Sequence, residues 1–174
     1  MDLLDFQAEQ LYFDEPIDPS VSQLLEEAAL YYGEPKSEDL LLKAYFLAPE
    51  HLLVLVALYR YFYYQHRLSD ALLVAERVLR ITAKALGMPE EWRELDRVAF
   101  NSGIMVSMTR LRFYMLALKG AGYLELRLGD YPSALRRLEK VAELDEQDRL
   151  GARALIDVVR QALESKVMAD TAQV

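Results

Sequence analysis

The 174-residue sequence has no cysteine, which excludes disulfides and thiolate metal sites. It holds only 7 glycines and 6 prolines, while apolar residues supply 53%. That balance suits one all-helical globule with a substantial core rather than a disordered chain. Histidine is nearly missing as well. His51 and His66 bracket one helical pattern at opposite ends and have no second histidine or carboxylate at ligand spacing. Capping or surface roles are expected of them, and no metal site. Glycine-rich phosphate loops, a nucleophile elbow and paired catalytic carboxylates are all lacking. The expectation is therefore a non-enzymatic protein without a cofactor, its glutamates serving as solvated helix faces.

Long hydrophobic runs are absent too. The longest, Leu52 to Tyr59, is far short of membrane-spanning length. The opening Met1-Asp2-Leu3-Leu4-Asp5 has neither a basic region nor a following apolar run, so no secretory signal is expected and a cytoplasmic location is. Positive charge is in deficit: the net charge is −8 and the pI about 4.9. This argues against a nucleic-acid partner, which needs a clustered basic footprint, and against a polybasic membrane-surface helix.

What is present is helical periodicity. Met115 to Asp148 holds two amphipathic patterns separated by Gly129-Asp130-Tyr131-Pro132, a helix-stopping and turn-forming run. Leu118, Ala121, Gly122 and Leu126 recur on the first pattern, and Ala134, Leu135, Leu138, Val141 and Ala142 on the second. Small residues, Gly122 and Ala134, sit where two helices must approach closely. The stretch resembles a tetratricopeptide repeat, a helix-turn-helix unit that stacks on copies of itself. Small residues recur in phase upstream: Ser37 and Ala71 are 34 residues apart, and Ala71 and Ala134 are 63 apart, one repeat plus an insertion. The copies are degenerate. The family's small residue at the eighth position is present only as Gly122, its aromatic at the eleventh only as Phe62, and its closing proline only as Pro49.

The resemblance implies an all-α fold, a right-handed stack of antiparallel helical hairpins with an inserted helix and a C-terminal capping helix. The corresponding organisation is an acidic arm over 1–17, repeats over 18–51, 52–85 and 115–148, an insertion over 86–114, a capping helix over 149–165 and a flexible tail over 166–174. Ser20 is the expected N-cap of the first helix. Leu52 to Tyr59, apolar almost all round, is expected to be the most buried helix. In the insertion, Pro89 opens a helix that Asn101-Ser102-Gly103 interrupts. Periodicity from Gly103 to Leu128 then predicts one long helix whose Ile104, Met105, Val106, Met108 and Leu111 are covered by Trp92, Leu95 and Val98.

In the resembled family the first helix of each repeat lines a concave groove that holds a peptide of a partner protein. Carried onto this sequence, those positions place Arg60, Tyr63 and Tyr64 on the second copy and Lys119, Tyr123 and Arg127 on the third. The asparagines of the family's carboxylate clamp are replaced by Ala57, Arg60, Gly120 and Tyr123, so that clamp is not implied. Arg60 has Val56 and Tyr64 one helical turn away, and Lys119 has Met115 and Tyr123, none of which neutralises a cation. The implied role is an adaptor or chaperone that holds an extended or helical segment of one partner, as small acidic three-repeat secretion chaperones do, and the placement of Arg60, Lys119 and Arg127 points to an acidic or carboxylate-bearing segment. The alternative is a self-associating scaffold, a homodimer through the long helix or the tyrosine-rich surface. The arm's expected place is the open end of the array or the groove itself.

Overall fold

The computed structural model describes residues 15–171. Among them are eight α-helices and no strand: α1 (Pro19–Leu30), α2 (Pro35–Leu47), α3 (Leu52–Tyr64), α4 (Leu68–Ala85), α5 (Arg97–Val106), α6 (Met108–Arg127), α7 (Tyr131–Leu144) and α8 (Ala152–Thr171). The all-α expectation holds. Helices adjacent in the chain pair as hairpins, α1 with α2, α3 with α4 and α6 with α7, and α2 packs on α3, α4 on α6 and α7 on α8. No described helix is long and apolar enough to cross a membrane.

Each hairpin reverses through a residue in the left-handed region. Gly33 (φ 93°) and Gly129 (φ 81°) serve two of the turns, and His66 (φ 58°) serves the third. Glycine takes this conformation without steric cost, whereas a side-chain-bearing residue such as histidine does so under strain. His66 is thus a turn residue, and His51 is a cap: its Nδ1 accepts from the Leu53 backbone N–H at 3.3 Å. The small residues of the resemblance are all buried. Ser37 has its hydroxyl on the Ala28 carbonyl at 2.8 Å, and Ala71 and Ala134 are fully enclosed. A Cβ on Gly122 would stand 3.0 Å from Leu138 Cγ, so the Leu138 side chain of α7 packs directly on the α6 backbone there.

Three expectations are corrected. Asp18, not Ser20, caps α1, accepting from the Ser20 N–H at 2.8 Å, because Pro19 occupies the first helical position. Leu52 to Tyr59 on α3 is enclosed as expected, with no exposed residue, and the middle of α6 is enclosed as well. Residues 113 to 118 of α6 are buried without interruption, with α4, α5, α7 and α8 packed around that helix. The capping helix does not end at 165, since α8 continues through Thr171; of the expected tail, 172–174 lie outside the described residues. Residues 1–14 of the expected arm also lie outside them. The described remainder of the arm holds Glu15, ion-paired with Arg110, and Ile17, packed on the core.

The third correction concerns the insertion. Met88 to Glu91 is non-helical, Trp92–Glu94 forms a single 3₁₀ turn, and the helix begins only at Arg97. Asn101-Ser102-Gly103 does not break it. Gly103 answers a close approach instead, since a Cβ there would lie 2.9 Å from Met88 Sδ. The break falls at Ser107, which is extended (φ −163°, ψ 107°) and whose hydroxyl accepts from the Arg110 N–H at 3.2 Å. The expected long helix is therefore two helices, with Ile104, Met105 and Val106 on α5. Leu111 is buried, but Val98, Met105, Val106 and Met108 are exposed, so Val98 covers nothing.

Candidate functional site

The run Arg60-Tyr61-Phe62-Tyr63-Tyr64 on α3 points in every direction, as five successive helical residues must. Tyr61 and Phe62 turn inward and are buried. Tyr61 meets Tyr32 of the α1–α2 turn edge-on at 6.3 Å, and the Arg67 guanidinium lies 4.5 Å from the Phe62 ring. Of the other three, Arg60 and Tyr63 are half-buried and Tyr64 is exposed. Arg60 and Tyr64 line a cleft of about 480 Å³ bounded by α1, α2 and α3. Its floor is apolar, from Leu25, Ala28, Leu41 and Ala57, and Tyr32, Tyr61 and Tyr64 form an aromatic wall. Arg60 is its sole charged lining residue and forms no ion pair among the described residues.

Tyr63 points to the other side of α3. Its ring stacks on Tyr59 at 6.3 Å, meets Tyr64 edge-on at 5.6 Å and lies 6.5 Å from Tyr123 of α6. Arg127 Nη1 donates to the Tyr123 hydroxyl at 3.0 Å, and this bond raises the guanidinium pKa above its ordinary value. Lys119 is half-buried one helical turn before Tyr123. The six residues expected to form one groove thus fall into two groups. Arg60 and Tyr64 border the α1–α3 cleft, whereas Tyr63, Tyr123 and Arg127 join α3 to α6 with Lys119 on the same helix one turn before Tyr123, and the Tyr63–Tyr64 contact connects the groups.

A second polar cluster lies at the junction of α4, α6 and α7, where Arg137 and Glu125 are buried and Glu76 is half-buried. Arg137 of α7 is 2% exposed. Its Nε and Nη2 donate to the two carboxylate oxygens of Glu125 on α6 at 3.0 and 2.8 Å, and Nη2 also reaches Glu76 on α4. The guanidinium stands 4.8 Å from the centre of the Trp92 ring, and Lys140 Nζ donates to the Leu95 carbonyl at 3.0 Å. Trp92 and Leu95 therefore anchor the insertion on α7. Burial works to lower the Arg137 pKa, but the hydrogen bonds to Glu125 and Glu76 prevail and raise it. Glu125 contradicts the reading of the glutamates as solvated faces. The signal was in the spacing. Arg137 lies between Ala134 and Leu138 on the buried stripe of α7, and Glu125 continues the α6 stripe of Leu118, Ala121 and Gly122.

Tyr114 of α6 is buried beside this cluster, and its hydroxyl has no hydrogen-bond partner among the described residues. Burial pushes its phenol well above the ordinary tyrosine value, against the opposing charge of Arg137. A tyrosine whose folded pKa is raised gives stability that is whole below the unfolded value, about 10, and is lost as pH rises beyond it. Unfolding free energy measured in urea should therefore fall above about pH 10 by up to 1.4 kcal/mol per pH unit for this group. Tyr114→Phe should remove that share of the fall while leaving neutral-pH stability little changed. An unaltered alkaline limb in the variant would show that the phenol is not responsible.

No group of three or more histidines, carboxylates or cysteines is placed to hold a metal among the described residues. No family model matches the chain, and no solved structure matches it. It is 48% identical over 165 residues, 92% of its own length and 90% of the relative's, to an uncharacterized 19.8 kDa protein in the nifW 5′ region of Azotobacter chroococcum mcd 1. At that identity over nearly the whole of both chains, this protein belongs to the family of the Azotobacter protein.

Proposed function

We propose that the protein is a non-enzymatic interaction module, an adaptor or chaperone that holds a segment of one partner protein against α1, α3 and α6. The observation that carries this reading is the α1–α3 cleft: an apolar floor, a tyrosine wall and the cation of Arg60. An apolar or aromatic side chain next to a carboxylate meets all three, the ring for burial and the guanidinium for a bidentate contact. The right-handed tetratricopeptide-type stack belongs to the same proposal. Three hairpins with a left-handed turn residue each, and buried Ser37, Ala71 and Ala134 in phase, support it. The relative's name puts it in the nifW 5′ region. Proteins encoded around nifW are accordingly the first to offer as partners.

Once a partner is captured, titration calorimetry tests the cleft. Arg60→Ala should weaken binding by about 1–3 kcal/mol, a contact between fully desolvated and rim charges, and should flatten its salt dependence. Arg60→Ala combined with Lys119→Ala leaving affinity and salt dependence unchanged would exclude this face as the site.

Self-association is the second reading, and the outer face of α2 favours it. Phe46 is 85% exposed there, beside exposed Leu42 and Leu47, with Asp39 and Lys43 on the same surface. A repeat array normally closes its ends with polar faces. Two copies with antiparallel α2 helices would set each Lys43 against the other copy's Asp39. Light scattering decides the matter: this reading expects a dimer that Phe46→Glu converts to a monomer, and a monomer at all concentrations removes it.

A further inference from the structure

The floor of the α1–α3 cleft has no side-chain hydrogen bond left to donate. Leu25, Ala28, Leu41 and Ala57 are apolar, and Ser37 already gives its hydroxyl to the Ala28 carbonyl at 2.8 Å. On the wall, the Tyr61 hydroxyl is hydrogen-bonded to Glu38. A peptide main chain laid on this floor would bring N–H and C=O groups without partners, whereas a hydrocarbon body brings none. We infer that the cleft also binds a free small molecule, a monocarboxylic acid with an apolar body, which competes there with the partner segment. The inference rests on the reading of this cleft as the place where the partner's apolar side chain and carboxylate meet Arg60.

Size and charge select that class. Small residues, Ala28, Ala29, Ser37 and Ala57, open the hollow between the tyrosines, and its volume is about 480 Å³. Small-molecule sites occupy about 300–1,000 Å³ and are mostly apolar with a few convergent polar groups. Here the convergent charge is single. Arg60 carries it from a half-buried position, and a planar guanidinium takes one carboxylate by two parallel N–H···O bonds. A second anionic group would be left against apolar surface with no counter-charge. Two other surfaces lack one requirement each. Arg77, Arg80 and Lys84 of α4 are a denser run of cations, but Glu50 and Glu90 line the same hollow and its apolar lining is only Ile81 and Ala85. Arg77 is in addition held by the Pro49 carbonyl, to which its Nε donates at 3.0 Å. The outer face of α2 is apolar around Phe46 and Leu47, but its cation, Lys43, has Asp39 one turn away.

The test titrates the full chain, without any partner, with octanoate at neutral pH and follows the backbone amides by NMR. Saturable shifts are expected at Ala29, Tyr32, Ala57, Arg60 and Tyr64, with Phe46 and Leu47 of α2 and Arg80 and Lys84 of α4 unmoved. Arg60→Ala should weaken octanoate binding about tenfold to a hundredfold, the usual worth of a hydrogen bond to a charged group. Octanamide, the same chain without the charge, should bind more weakly than octanoate and with one affinity in both proteins. Ala57→Leu narrows the hollow from a half-buried position and should weaken both ligands. Unchanged dispersion of the remaining amides verifies the fold of each variant. Shifts that do not saturate, that centre on α2 or α4, or that keep the native affinity in Arg60→Ala overturn the inference. Octanoate binding survives a failure to find any partner, whereas a partner that binds at Arg60 survives a failure of octanoate to bind, so the two proposals fail separately.

Discussion

Arg137→Ala is expected to destabilise the protein by about 3–5 kcal/mol, the usual cost of removing one partner from a buried ion pair. The guanidinium is enclosed and joins Glu125 and Glu76, so its loss leaves the buried Glu125 carboxylate without its counter-charge. Glu76, about a third exposed, can turn to solvent and contributes less. The size of the effect comes mainly from that stranded charge, and a second variant separates this from lost packing. Arg137→Met with Glu125→Gln removes both charges while keeping most of the volume, and should recover a large part of the loss. Urea unfolding of the three proteins measures it. A single-variant loss below about 1 kcal/mol, the range of exposed pairs, would mean that water solvates the junction and that the pair is not buried in solution.

This cluster also marks where sequence reading stops. Helix positions were legible wherever a turn carried its own chemistry. Gly129-Asp130-Tyr131-Pro132 separates α6 from α7 as expected, and Gly33-Glu34-Pro35 separates α1 from α2. Ser107 was not legible, because Val106 and Met108 continue the apolar period across it and a lone serine signals a cap only once its hydroxyl is seen on the Arg110 N–H. For the candidate site, the resemblance singled out Arg60, Tyr63 and Tyr64, and that part of the run 60–64 must leave the core followed from helical geometry. Their division between two helix pairs did not, since periodicity gives the face of a helix and not the neighbour it meets. Arg137 and Glu125 could have been read, because charges on two buried stripes of one hairpin have few ways to be satisfied except by each other.

Trp92 carries the second large effect. Its ring is buried although it sits on a single 3₁₀ turn, with the Arg137 guanidinium 4.8 Å and the Arg93 guanidinium 4.5 Å from its centre. Trp92→Ala should cost about 3–5 kcal/mol, the range for emptying a buried aromatic site. The consequence is wider than a cavity. Between α4 and α5 the chain is held by this ring, by the buried Leu95 side chain, and by the bond from Lys140 to the Leu95 carbonyl. Removing the ring also opens the junction to water, which solvates Glu125 and lowers the cost of then removing Arg137. The two substitutions should therefore be non-additive, the double variant falling short of the sum by about 0.5–3 kcal/mol. Hydrogen exchange adds a local readout: amides of α5 should lose protection in Trp92→Ala more than those of α1 or α2, which the insertion does not touch. Additive losses with uniform exchange would show that the ring fills space without holding the insertion on α7.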